Sequence, residues 1–152
     1  MKKASSMIKR VAFADESDEV LRVFTSYGFN VKRDLKKLDI EEGEREEIRE
    51  RTLDTLRDYL NNGNNREATT LHKSPIGLVS AIKMRSTSGN HRGKSGGFRI
   101  ILICGIEPDL AVIFHIYPKA GSGRKDNISQ SERNQICKLA DELEEAVKRR
   151  QA

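Results

Sequence analysis

The sequence predicts an α+β fold: a small, twisted, mostly antiparallel β-sheet packed against N-terminal helices, with one more helix at the C-terminus. Three observations predict it. Residues 78–119 fall into three successive runs in which apolar side chains alternate with others, the period of strands that bury one face. Two stretches of the N-terminal half, 20–27 and 39–60, carry apolar residues at helical spacing. The last stretch, 129–147, repeats that spacing behind a helix-start signal.

Taken in order, Arg10 to Ala14 is a candidate first strand. Val20, Leu21, Phe24 and Tyr27 then mark a helix that Gly28 is placed to end. Asp39 with Glu42 fits a capping box for the next helix, whose apolar stripe is Ile48, Leu53, Leu56 and Leu60 and which stops at the NNGNN of residues 61–65. From Asp39 to Asp58 there are nine acids and four arginines, so its outer face is mainly acidic and serves solubility and strand support. Residues 61–75 and 86–97 read as the longest breaks. Leu78, Ile82 and Met84 define one face of the next strand, with Val79, Ala81, Lys83 and Arg85 on the other. Phe98, Ile100, Leu102 and Cys104 oppose Arg99, Ile101 and Ile103 in the second run. Leu110, Val112, Phe114 and Ile116 oppose Ala111, Ile113, His115 and Tyr117 in the third, with Lys119 continuing the second set. If the three strands are neighbours, Lys83, Arg85, Arg99, His115, Tyr117 and Lys119 converge on one surface. Ser129 with Glu132 forms a second capping box, followed by Ile136, Leu139, Ala140, Leu143 and Val147 on one helix face and by Lys148, Arg149 and Arg150, which suit a helix C-terminus.

At 152 residues the expectation is a single domain, 1–152, with a small aliphatic core, since Trp is absent and charged residues make up 34%. No apolar run approaches the ~20 residues that span a bilayer, and MKKASSMIKR lacks the apolar stretch of a signal peptide, so the expected location is the cytoplasm, with no membrane partner. Cys104 and Cys137 sit among apolar neighbours, and two such thiols read most simply as buried hydrophobes. Too few ligands cluster to predict a metal site, and no cofactor is expected.

Charge is unevenly placed. Between Lys73 and Lys125 nine Lys or Arg stand against Glu107 and Asp109, a net +7 in a chain whose total is +5. A concentrated field of one sign is the footprint of a nucleic-acid or other phosphate-rich partner, although a merely solvated basic face has the same composition. The GNHRGKSGG of residues 89–97 adds His91, Arg92 and Lys94 among glycines that let backbone approach a ligand. It is not a P-loop: only three residues separate Gly89 from Gly93-Lys94, and a strand follows where a helix is required. A basic loop touching a nucleic-acid backbone is the better reading.

IKMR at 82–85, GKSGGFR at 93–99, IYPK at 116–119 and DNISQSE at 126–132, followed by KLADEL, stand in this order. In these words and their order the chain resembles the RelE/HigB-type toxins of bacterial type II toxin–antitoxin systems, within the RelE/ParE superfamily. The resemblance covers residues 75–143 well and the N-terminal helices by pattern alone. It implies a RelE-like toxin domain that acts as a metal-independent mRNA endoribonuclease, often on translating ribosomes, by attack of the ribose 2′-hydroxyl on the adjacent phosphate. It also implies a cognate antitoxin, expected to be a small helix-turn-helix DNA-binding protein. By matching motif, Lys83 corresponds to a catalytic lysine, Arg99 to a phosphate-binding arginine, and Lys119 falls where the family places another cation. Arg85 and His115 complete the catalytic candidates. A lysine crowded by arginines is a possible base, guanidinium groups hold phosphate, and histidine titrates near neutrality. His91, Arg92, Lys94, Tyr117, Arg124 and Lys125 are the RNA-binding candidates, Tyr117 by base stacking. The chain departs from the family pattern at Ala81, where a second basic residue often stands, and in having no Tyr or His beyond Tyr117. A non-catalytic RNA-binding module, or a ParE-like inhibitor of a topoisomerase, therefore stands as the alternative on the same fold.

Overall fold

A computed structural model describes residues 8–63, 65–86, 97–118 and 128–151. The elements are β1 (Arg10–Phe13), a short 3-10 turn (Ala14–Glu16), α1 (Asp18–Thr25), α2 (Val31–Lys37), α3 (Glu42–Asn62), β2 (Ala68–Lys73), β3 (Ser80–Ser86), β4 (Phe98–Glu107), β5 (Leu110–Pro118) and α4 (Gln130–Gln151). The five strands form one sheet in the order β1-β5-β4-β3-β2. Among the described residues only β1 and β5 run parallel, and every other pair is antiparallel. The architecture is α+β, as the sequence predicts. No helix of the described residues is long and apolar enough to cross a membrane.

Helix starts and stops follow local chemistry. The Ser17 hydroxyl accepts the Val20 N–H at 3.3 Å and opens α1, while Gly28, at φ +92°, closes the turn after it. Asn30 caps α2 by accepting the Arg33 N–H at 3.0 Å, and Val31 and Leu35 are the residues it buries. This helix has no counterpart in the sequence reading, because seven residues with two apolar anchors make too short a period to register. Its presence also corrects the expected Asp39/Glu42 capping box. Asp39 sits at φ +56° in the left-handed turn that ends α2, where Ile40 donates back to the Leu35 carbonyl at 3.0 Å. The N-cap of α3 is therefore Glu41, whose side chain makes no capping bond.

The face that α3 buries runs through Ile48, Thr52 and Leu56, with Leu53 and Leu60 only partly covered, so the buried row is straighter than the expected stripe. Its N-terminal half locks onto the end of β1 and the 3-10 turn that follows it. Arg45 pairs with Asp15 at 2.9 Å and Arg49 with Glu16 at 3.1 Å, and both guanidinium groups lie over the Phe13 ring, 5.4 and 5.2 Å from its centroid. Gly63, at φ +67°, ends the helix within the NNGNN.

The segment read as a break between residues 61 and 75 contains β2, so the sheet has one strand more than expected. β2 is an edge strand with a polar sequence, ATTLHK, and neighbours hold it rather than burial of its own face. The Tyr59 and Thr70 hydroxyls meet at 2.7 Å, and His72 Nε2 lies 2.9 Å from Asp141 of α4. The turn between β2 and β3 is organised by Glu144. Although buried in α4, this carboxylate accepts the Ser74 hydroxyl and the backbone N–H groups of Ile76 and Leu78.

One irregularity changes the strand parity. Between β4 and β5 the register passes from Ile101↔His115 to Leu102↔Ile113, leaving Phe114 as the extra residue of a bulge. Ala111 and Ile113 consequently share the face of Cys104 and Leu102, not that of His115 as strict alternation would have it. Phe114 stacks on Phe24 at 4.8 Å and meets Phe29 edge-on at 5.2 Å. Burying a phenylalanine contributes roughly 1.5–3 kcal/mol, so this aromatic cluster is what fixes α1 and the loop after it to β5. The Ser129/Glu132 capping box forms as expected: Ser129 N–H donates to Glu132 Oε1 at 2.9 Å, and Glu132 N–H donates to Ser129 Oγ at 3.0 Å.

A candidate nucleic-acid interface

The antiparallel register brings the strand candidates together in two adjacent cross-strand rows. Thr69, Lys83, Ile101 and His115 form the first. Arg85, Arg99 and Tyr117 form the second, with the Glu67 carbonyl accepting the Arg85 N–H at its end. Rows that alternate residues on one face are separated by about 7 Å along the strands, and side chains two strands apart by about 10 Å. Lys83, Arg85, Arg99, His115 and Tyr117 therefore occupy one patch. The bulge at Phe114 lies just beyond it, so the parity argument holds for these five residues and fails for the rest of β5.

Access is graded across the patch. The Arg85 side chain is 51% exposed and Lys83 is half-buried, while Arg99 and Tyr117 retain only 8% and 4% of their surface. Arg85 and Arg99 are directly opposed across β3 and β4, an arrangement of like charges that disfavours folding. Burial pushes the Arg99 pKa down from its ordinary value and the charge of Arg85 lowers it further, with Tyr117 and Glu67 acting in the other direction. Glu67 Oε1 lies 3.7 Å from Arg85 Nε. Burial raises the Tyr117 hydroxyl, Arg99 opposes that rise and Glu132 adds to it. The patch thus sets a buried guanidinium beneath a surface that presents Arg85 and Lys83.

His115 closes the other end of its row. Its Nδ1 lies 2.9 Å from Asp34 Oδ2 in α2, and its Nε2 lies 3.6 Å from Glu132 Oε2 in the first turn of α4. The ring also sits 5.3 Å from both Phe29 and Tyr117. The capping box that starts α4 therefore also sets a carboxylate beside the histidine. Glu132 is legible in the sequence as a capping residue, but its proximity to His115 is not. Asp34 gives no signal, because its seven-residue helix is too short to show a period.

Lys119, His91, Arg92, Lys94, Arg124 and Lys125 lie outside the described residues. Among the described residues no group of three His, Cys, Asp or Glu is placed to hold a metal ion. A cleft of about 820 Å³ opens toward the other end of the strands, lined in part by Ile82, Cys104, Gly105 and Val147. Burial pushes the Cys104 thiol up to about 12, which leaves it a packing group at neutral pH, and Cys137 is half-buried. No protein-family model, curated protein or solved structure matches this chain.

Proposed function

We propose that this chain is the toxin of a type II toxin–antitoxin pair: a metal-independent endoribonuclease that cuts mRNA in the cytoplasm, on translating ribosomes, until a small helix-turn-helix antitoxin covers its basic face. The observation that carries the reading is the convergence of Lys83, Arg85, Arg99, His115 and Tyr117 in two adjacent cross-strand rows. The resemblance of the GKSGGFR and DNISQSE words supplies the reaction class.

In this reading Arg85 meets the scissile phosphate at the surface, and Arg99 stabilises the charge that develops on its oxygens from beneath. Lys83 removes the 2′-hydroxyl proton, the 2′-oxygen attacks phosphorus, and the bond from phosphorus to the 5′-oxygen breaks. His115, at the opposite end of the Lys83 row, delivers a proton to that leaving oxygen. The products are a 2′,3′-cyclic phosphate and a 5′-hydroxyl end. Tyr117 shapes the phosphate subsite beside Arg99, since its burial leaves little ring surface for a base to stack upon.

The test is induced expression of the wild type beside Lys83→Ala and Arg99→Ala in a bacterial host, with 5′ ends of mRNA mapped soon after induction. New ends that vanish in both variants are the expected result. Growth arrest with intact mRNA would point to a protein target such as a topoisomerase, and neither arrest nor cleavage would leave a binding module.

A further inference from the structure

His115 is held from two sides by acids that belong to helices rather than to the sheet, and each acid is itself fixed by a backbone N–H. Asp34 Oδ2 accepts the Ile116 N–H at 3.1 Å while lying 2.9 Å from His115 Nδ1. Glu132 Oε1 accepts the Ser129 N–H at 2.9 Å while its Oε2 lies 3.6 Å from His115 Nε2. An ionised carboxylate only accepts hydrogen bonds, so the ring nitrogen that meets Asp34 Oδ2 must carry a hydrogen. That assigns the proton to Nδ1 and makes Nε2 the nitrogen able to exchange one. Side-chain exposures of 12% for His115 and 18% for Asp34 leave little solvent to weaken the contact.

We propose that Asp34 is a positioning residue for the cleavage reaction, resting on the ribonuclease reading above: it fixes the His115 ring and tautomer so that Nε2 serves as the proton donor to the leaving 5′-oxygen. The proton passes from Nε2 to that oxygen as its bond to phosphorus breaks. The ring keeps its Nδ1 hydrogen on Asp34 and regains the other from water. Asp34 touches no substrate atom. Its effect runs through the imidazole, as an acid behind a catalytic histidine orients it in other enzymes. Among the described residues, the charged groups that share this environment include Glu132 from α4, Lys83 from β3 and Arg99 from β4, with Tyr117 beside the ring on β5.

The decisive variant is Asp34→Asn, whose amide oxygen can still accept both N–H groups but without charge, with Asp34→Ala as the severe case. Against a cleavable RNA, Asp34→Asn should lower kcat by about ten- to a hundredfold while KM stays nearly constant, because the phosphate-binding cations are untouched. A variant that is folded by thermal denaturation yet keeps wild-type kcat would overturn the proposal, as would a loss confined to KM. Nitrogen NMR of His115 separates this from failure of the ribonuclease reading. A protonated Nδ1 in the wild type that is lost in Asp34→Ala, which removes the acceptor, establishes the clamp whether or not RNA is cut. An Nδ1 signal indifferent to the substitution overturns the clamp itself, whereas an intact clamp in a wild type that cuts no RNA overturns the ribonuclease reading.

Discussion

Gly105 and Gly43 should respond to the same substitution with opposite signs. Gly105 lies at φ +110° in β4, beside the second irregularity of the β4–β5 ladder, and a Cβ there would stand 1.9 Å from the Leu78 carbonyl oxygen. Ordinary contact begins near 3.4 Å, so the two backbones would have to part by well over an ångström. The Leu78–Val79 backbone is not free to yield. Leu78 N–H donates to Glu144 at 3.0 Å, Val79 N–H to Ser74 Oγ at 2.9 Å, and the Val79 carbonyl accepts the Ser74 N–H at 2.9 Å. A non-glycine residue at this φ costs about 1–3 kcal/mol, and each buried hydrogen bond broken by the shift costs about 1–3 more. Gly105→Ala should therefore lose roughly 3–6 kcal/mol, a large part of the 5–15 typical of a domain. Gly43 lies in the first turn of α3 with nothing within 4 Å of its would-be Cβ. Gly43→Ala should gain about 0.5–1 kcal/mol through helix propensity. Urea denaturation followed by far-ultraviolet circular dichroism reads both, and with a slope of about 1–3 kcal/mol/M the first variant's midpoint should fall by at least ~1 M. A loss under ~1 kcal/mol for Gly105→Ala would show that the β2–β3 turn is not held against β4 as described.

Two further outcomes follow from the charged groups. Burial works to raise the Glu144 carboxyl, but hydrogen bonds from Ser74, Leu78 and Ile76 and the charge of Lys148 outweigh it and hold its pKa below the ordinary value. A carboxylate depressed in the folded state contributes stability above its unfolded value near ~4.3 and loses that contribution as pH falls through the folded value. Wild type should thus be more stable than Glu144→Gln at neutral pH, with the gap closing in acid; a gap that persists unchanged at the acid end would contradict the assignment. For RNA binding, Arg85→Ala should reduce the slope of log K against log salt by about 0.7, the loss of one counterion released from a single strand. Arg149→Ala, at the exposed end of α4, should leave that slope alone, and equal slopes for all three proteins would remove Arg85 from the interface.

The elements with a sustained period were legible in the sequence, and the placing of Lys83, Arg85, Arg99, His115 and Tyr117 side by side follows from them. Ile82, Met84, Phe98, Ile100 and Leu102 fix the wholly apolar face of β3 and β4, and Lys83, Arg85 and Arg99 fall on the other, which Ala81, Ile101 and Ile103 also bury in part. The Ser129/Glu132 capping box was legible because its reciprocal bonds are local. Three things were not. β2 is polar and at the edge, so its identity comes from partners at Tyr59 and Asp141 rather than from its own pattern. α2 buries only Val31 and Leu35, and Asp39 resembles an N-cap while closing a left-handed turn. The Phe114 bulge is a tertiary choice, made by packing on Phe24 and Phe29, and alternation cannot foresee it. Asp34 is illegible on both counts: its helix is too short to show a period, and its contact with His115 spans elements far apart in the chain.

The most direct test of the central claim supplies the purified chain and translating ribosomes with an mRNA carrying a single 2′-deoxyribose at a mapped cleavage site. The reading predicts that wild type cuts the all-ribose message to leave a 2′,3′-cyclic phosphate and a 5′-hydroxyl, that the 2′-deoxy site resists, and that Lys83→Ala and Arg99→Ala cut neither. Cleavage of the 2′-deoxy site at the normal rate, or undiminished cleavage by those two variants, would contradict it.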